Sequence, residues 1–232
     1  MQRIAALFVE KNGPYANLPG VDVWDESRDA RKYEGPFSVV AHPPCTRWCR
    51  LAGLVEARYG HKKGDDGGCF AAALASVRTF GGVLEHPAYS DAWPAFDLAR
   101  PVSGAWTRSI DGGWVCSVNQ LDFGHPAEKK TWLYAFGATY LPTFDATNNE
   151  QTAMVGRTWT KQRQPTARCS FLRNHDKVPS TLRRLSSKEA SRTPNAFRDL
   201  LIKIAQSVNH NNENVIRRND EDSHRLKKST QV

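Results

Sequence analysis

The sequence predicts an α/β protein with an open, mostly parallel, Rossmann-like sheet and a basic C-terminal extension. Three observations carry this. Apolar runs at 3–9, 37–41 and 83–84 are each followed by a polar or prolyl turn. A helix-forming stretch separates the second run from the third, giving the alternation of an open α/β sheet. The surplus of positive charge falls in one segment late in the chain.

Taken in order, Ile4-Ala5-Ala6-Leu7-Phe8-Val9 reads as a buried strand. The turn-rich Asn12-Gly13-Pro14 follows, then the short apolar Val21-Asp22-Val23-Trp24 and a polar stretch over 25–36. Phe37-Ser38-Val39-Val40-Ala41 makes the next strand, which stops at His42-Pro43-Pro44-Cys45. A strand does not continue through two prolines, so the chain turns there and leaves Cys45 at a strand end. Residues 60–68 are a Gly- and charge-rich loop, and 70–80 are Ala-rich and helix-forming, with Gly81-Gly82 as the stop. Val83-Leu84 gives a third short strand ending at Glu85-His86-Pro87.

Residues 114–118 and 131–136 read as a strand pair joined by a polar connection, and 143–181 lack sustained periodicity. The pattern turns helical from 186 to 204, with Phe197, Leu200, Leu201 and Ile204 on one face. Thr193 is the expected N-cap, with Pro194 at the first helical position. The expected division is an α/β domain over 1–142, a basic segment over 143–208 ending in a helix that packs on it, and a disordered tail over 209–232.

A chain of 232 residues is long enough to bury a real core, and 40% hydrophobic with 24% charged residues excludes the disordered and fibrous classes. No apolar run approaches the ~18 residues of a membrane span. No cleavage-site pattern follows Met1-Gln2-Arg3-Ile4, so the expected location is the cytoplasm, without a membrane or an obligate protein partner. The net charge of +8 is uneven: residues 157–203 hold 12 basic and 3 acidic side chains, whereas 1–156 hold 15 and 17. A localised basic segment suits a polyanion such as nucleic acid, or is a solvated surface.

Five cysteines, an odd number without a secretory signal, point to reduced thiols. Three of them lie near two histidines in the order His42, Cys45, Cys49, His61, Cys69. The spacing fits no compact zinc finger and contains no paired Cys-x2-Cys knuckle, so buried or catalytic thiols are expected in place of a metal site.

Three segments then stand out in order. Pro43-Pro44-Cys45 follows one strand, Glu85-His86-Pro87 follows Gly82-Val83-Leu84, and Asp122-Phe123-Gly124-His125-Pro126 leads into Lys129-Lys130-Thr131-Trp132-Leu133-Tyr134-Ala135-Phe136-Gly137. Together they resemble the Pro-Pro-Cys, Glu-Asn-Val and Gly-Val-Pro-Gln-Arg-Arg-Glu-Arg motifs of DNA cytosine-C5 methyltransferases. The resemblance covers roughly residues 36–137 and is closest to compact, divergent proteins of bacteriophages and prophages, for which the location is the host cytoplasm.

The resemblance implies a specific chemistry. Cytosine C5 is too weak a nucleophile to take a methyl group directly, so in this family a cysteine adds to C6 while a glutamate protonates N3. Cys45 is thereby the implied nucleophile and Glu85 the implied acid. The thiol needs a lowered pKa or a nearby partner. A glutamate that donates a proton needs a raised one. In duplex DNA the target base is flipped out to reach such a site. Arg47, Lys129 and Lys130 are the implied phosphate contacts, with Arg183 and Arg184 as DNA-binding residues of the basic segment. S-adenosylmethionine is the implied cofactor, with Phe8, Gly13, Asp22 and Pro43 around it. Asp25 is an alternative to Asp22 for a ribose hydroxyl.

Two departures accompany this. The family's Phe-x-Gly-x-Gly loop is reduced to the one glycine of Phe8-Val9-Glu10-Lys11-Asn12-Gly13-Pro14, and the target-recognition region is replaced by the basic segment. Two other readings therefore stand beside the first: an inactive nucleic-acid-binding module on the same scaffold, and pyrimidine chemistry with a different cofactor or a free nucleotide. His86, His125, Trp48, Trp132 and Phe123 are expected as packing residues.

Overall fold

The computed structural model describes residues 2–49, 52–144, 153–154 and 183–209. Its centre is a seven-stranded sheet. The strands are β1 (Ile4–Leu7), β2 (Val21–Trp24), β3 (Ser38–Ala41), β4 (Gly82–Pro87), β5 (Thr107–Arg108), β6 (Trp114–Asn119) and β7 (Lys130–Phe136), in the order β2-β1-β3-β4-β7-β6-β5. The β1–β2, β1–β3 and β3–β4 pairs are parallel; β4–β7, β7–β6 and β6–β5 are antiparallel. The sheet is thus mixed, with parallel pairing confined to one half. The reason lies between β6 and β7: their short connection is a hairpin-type link, far from the helical crossover that parallel neighbours require.

Among the described residues the α-helices are α1 (Ala52–Tyr59), α2 (Cys69–Phe80) and α3 (Ala92–Ala95), with α4 (Ser187–Ser191) and α5 (Asn195–Gln206) following the sheet. Two of them cover the sheet. Phe70, Ala73, Leu74 and Val77 form the buried stripe of α2, against Ala5, Leu7, Val39, Ala41 and Leu84. Phe197, Leu201, Ile204 and Ala205 of α5 lie against Ile4, Ala6, Val40 and Val83 on the other face. The alternation along each strand therefore feeds two cores, in an α/β/α arrangement. Burying each large apolar side chain of α5 contributes about 2 kcal/mol, so this helix is integral to the domain.

The helical stretch expected over 186–204 is interrupted. Pro194, with extended backbone, is the N-cap of α5 and Asn195 its first residue; no side chain, Thr193 included, caps it. The separate α4 carries its own capping box between Ser186 and Glu189. Gly82 is required where β4 meets β3: its φ is +129°, and a Cβ there would lie 1.9 Å from the Val39 carbonyl oxygen. A separate parallel pair joins β8 (Ala153–Met154) to β9 (Arg183–Arg184). Most of the basic segment and of the tail lies outside the described residues, as does the Arg184 side chain. No helix among the described residues is long and apolar enough to cross a membrane.

Candidate active site

Register brings the candidate residues to one edge. Leu7, Ala41 and Leu84 are neighbours across β1, β3 and β4. The next residues, Phe8, His42 and Glu85, therefore stand side by side where the parallel pairing ends, Phe8 and His42 just past β1 and β3 and Glu85 within β4, which runs on to Pro87 against β7 instead of stopping at Glu85. Open α/β sheets bind ligands at this edge. Pro43 is buried, Pro44 exposed, and Cys45 half-buried in the turn beyond them. A hydrogen bond from the Trp48 amide to the Cys45 carbonyl closes that turn.

Glu85 is the hub. Its Oε2 lies 2.9 Å from Nδ1 of His42, and His42 Nε2 lies 2.8 Å from the Tyr15 hydroxyl. Burial keeps the Tyr15 phenol protonated, its pKa well above the ordinary value. The donor order that satisfies the chain runs from Tyr15 O–H to His42 Nε2, and from His42 Nδ1–H to the Glu85 carboxylate. The other oxygen, Oε1, accepts from Gln120 Nε2 at 3.1 Å, and the same nitrogen donates to Thr131 Oγ1 at 3.0 Å.

The loop between β6 and β7 supplies Gln120 and Lys129. Asn119 Oδ1 accepts from the backbone N–H groups of both Leu121 and Lys129. The Gln120 amide donates to the Lys129 carbonyl and accepts, through its own carbonyl, from the His125 amide. Gly124, at φ 91°, ends the 3₁₀ turn Gln120–Phe123. Lys129 Nζ donates to the carbonyl oxygens of Ser191 and Arg192, tying the loop to the α4–α5 connection.

Electrostatics join these groups. Burial pushes the Cys45 thiol up, the Glu85 and Cys49 charges add to that, and the Lys129 ammonium pulls the other way without reversing it. The thiol is not a pre-formed thiolate; what it has is a partner nearby. Burial favours a raised carboxyl at Glu85, but the His42 hydrogen bond and the Lys129 ammonium outweigh it, leaving Glu85 below its ordinary value. Glu85 is therefore a charged acceptor, opposite to the raised acid expected from the chemistry. Burial lowers Lys129 in turn, against the fields of Glu85 and Cys45. His86 is fully buried beside Phe70 and Trp93, and burial takes its pKa down to about 4. It is a neutral packing residue, as expected.

Cys45, Glu85 and Lys129 act on one another through their charges, and several other expected residues do not join them. Lys130 is exposed, 3.8 Å from Glu128. Arg47 is half-buried and has no carboxylate partner among the described residues. Arg183 Nη1 pairs with Glu189 at 2.8 Å. Trp48 is core, its indole N–H donating to Asp66. Among the described residues no three His, Cys, Asp or Glu side chains form a group able to hold a metal ion, so His42, Cys45, Cys49, His61 and Cys69 do not close into one.

The edge implied for S-adenosylmethionine is filled by the chain itself. Tyr15 is 1% exposed and occupies the ground in front of His42. The 10–16 loop turns on itself, with the Gly13 amide on the Glu10 carbonyl and the Ala16 amide on that of Gly13. Asp22 accepts from Arg28 and from the Trp24 indole, and the Arg28 guanidinium lies 4.0 Å from the Trp24 ring centroid. Asp25 caps the 3₁₀ turn Glu26–Arg28. Phe8, with φ 58°, packs into the α2-side core. These residues, as arranged, do not form a cradle for that cofactor.

Tyr15, His42 and Gln120 are the side chains of this hydrogen-bonded group that the motifs do not announce. His42 adjoins Pro-Pro-Cys and invites only a metal reading, whereas Gln120 sits in an ordinary polar connection. The chain matches no protein-family model, and neither a curated protein nor a solved structure matches it.

Proposed function

We propose that this protein modifies DNA, acting on a pyrimidine base through covalent addition of Cys45 to C6, in the manner of cytosine-C5 methyltransferases. The observation that carries the reading is the placement of Cys45 in the turn beyond β3 and of Glu85 on the neighbouring β4, where Glu85 is bound by His42 at 2.9 Å and the Glu85 and Lys129 charges both act on the thiol.

The addition balances with this chain's own groups. The S–C6 bond forms as the thiol proton passes to the Glu85 carboxylate, and Glu85 delivers that proton to N3. The C5=C6 electron pair becomes that of an enamine whose nucleophilic carbon is C5. The charged Glu85 carboxylate accepts the first proton, and the His42 hydrogen bond holds it in position. Lys129 offsets the charge that develops on sulfur. Gln120 Oε1 is buried without a partner, and an acceptor there suits the exocyclic amino group of cytosine better than the O4 of thymine.

A methyl donor at the other edge is what the resemblance implies; since residues 8–15 do not present a cradle for it, no step is routed through it. That closed edge favours a second reading, the binding module without cofactor. Duplex DNA carrying 5-fluorocytosine, mixed with the protein and S-adenosylmethionine, tests the full reading. A covalent adduct that Cys45→Ala abolishes is the expected result. DNA binding without adduct and without calorimetric binding of S-adenosylmethionine selects the binding module, and turnover on a mononucleotide selects free-nucleotide chemistry.

A further inference from the structure

Tyr15 fills the edge in front of His42, and its hydroxyl is spent on that histidine. The phenol is 1% exposed, and its oxygen lies 2.8 Å from His42 Nε2. Among the described residues the hydroxyl has no other hydrogen-bond partner.

The loop that carries Tyr15 is fixed from α5. Arg198 Nη1 donates to the Pro14 carbonyl at 2.9 Å and to Asn195 Oδ1 at 3.2 Å, while Nη2 pairs with Asp199 at 2.7 Å. The Tyr15 ring is buried in the core that Phe197 and Leu201 form with Ile4, Ala6 and Val40. Its centroid lies 5.4 Å from that of the His42 ring. A side chain anchored through both its backbone and its ring presents its hydroxyl in one place.

Counting hydrogens gives the direction of the bond. If Nε2 donated to Tyr15, the hydroxyl hydrogen would be buried with no acceptor among the described residues, which is costly. With the hydroxyl donating, Nε2 is the bare acceptor and the ring hydrogen sits on Nδ1, 2.9 Å from Glu85 Oε2. The imidazole is thereby held at both of its nitrogens. Glu85 is held at both of its oxygens, because Gln120 Nε2 donates to Oε1 at 3.1 Å. Burial keeps the Tyr15 phenol well above its ordinary pKa, so this hydroxyl acts by holding its proton in place and not by transferring it.

From this geometry we infer that Tyr15 is a positioning residue of the Cys45–Glu85 centre: its hydroxyl pins the His42 ring, and the pinned Nδ1–H fixes the Glu85 carboxylate. Orientation matters at that carboxylate, which accepts the thiol proton and delivers it to N3 through the lone pairs that His42 and Gln120 leave open. The effect on catalysis rests on the proposed covalent addition; the pinning does not.

Nitrogen-15 NMR of the full chain labelled at histidine, at pH 8, reads the pinning, with His42 assigned by its absence in His42→Gln. The expected wild-type spectrum shows a protonated, slowly exchanging Nδ1 and an unprotonated Nε2. Tyr15→Phe keeps the ring and removes only the hydroxyl, and should speed exchange of the Nδ1 hydrogen by about tenfold or more. Ile202→Ala, a lesion in the same core away from the hydroxyl, should leave that exchange unchanged. A hydrogen on Nε2 in the wild-type protein overturns the proposal, and this readout needs no variant to fold. Equal exchange in wild type and Tyr15→Phe, or equal acceleration in Ile202→Ala, overturns it as well. Tritium release from DNA labelled at cytosine C5 reads the consequence: Tyr15→Phe should lower kcat by about tenfold with KM nearly unchanged. Full kcat in Tyr15→Phe contradicts the positioning role. No release by the wild-type protein refutes the covalent chemistry instead, and the spectrum still decides the pinning.

Discussion

His42 Nδ1 stands 2.9 Å from Glu85 Oε2, joining the first residue beyond β3 to the residue of β4 at which its parallel pairing with β3 ends. This contact decides the protonation of the site: it leaves a buried carboxyl charged where burial alone would neutralise it. The consequence is visible in stability. The folded pKa of Glu85 lies below the value of 4.5 for a free carboxyl, so the pair's contribution is present above about pH 4.5. It is lost as pH falls through the folded value. In His42→Ala the opposing contact is gone and burial raises the Glu85 pKa, so this acid loss shrinks or reverses. Urea midpoints from pH 3 to 7 for the two proteins measure that change.

His86 gives a second pH window. Its ring is neutral in the fold, with a pKa of about 4 against 6.5 when free. The unfolded chain binds the extra proton between these values, so stability is full above 6.5 and declines toward 4, by on the order of 3 kcal/mol. His86→Phe should flatten this part of the profile in the same urea series.

The thiol of Cys45 should respond oppositely to its two charged neighbours. Glu85 raises its pKa and Lys129 lowers it. Glu85→Gln is expected to speed iodoacetamide alkylation of Cys45 at pH 8, and Lys129→Met to slow it, each by several-fold. Peptide-resolved mass spectrometry separates Cys45 from the other four cysteines.

Much of this fold is written locally. Prolines at 43 and 44 stop β3, glycines at 81 and 82 separate α2 from β4, and the apolar spacing of 197–204 marks the buried face of α5. What local pattern cannot give is pairing across the sheet. The hydrogen bonds from His42 to Glu85 and from Gln120 to Glu85 join residues far apart in sequence, through strand register and the Asn119-pinned loop. The start of α5 was legible to within one residue from Thr193-Pro194, whereas the separate α4 and the Lys129 contacts that hold the turn after it carry no local signal. The α1 stretch was silent for the opposite reason: it is largely exposed and carries little apolar pattern.

Gly82 tests the sheet itself. A Cβ at that position meets the Val39 backbone, and the φ of +129° is one that L side chains rarely adopt. Gly82→Ala should destabilise the domain by more than about 3 kcal/mol. Gly20→Ala, also at positive φ but with open space around its Cβ, should cost only about 1 kcal/mol. Paired thermal melts distinguish crowding from backbone strain.

The central claim is that Cys45 adds to a pyrimidine with Glu85 as its proton partner. Release of tritium from DNA labelled at cytosine C5 reads that addition without any methyl donor, because the enamine takes a solvent proton at C5 and then loses the label on elimination. The account predicts release by the wild-type protein, abolished by Cys45→Ala and strongly reduced by Glu85→Gln. No release by the wild-type protein, or release that survives Cys45→Ala, would contradict it.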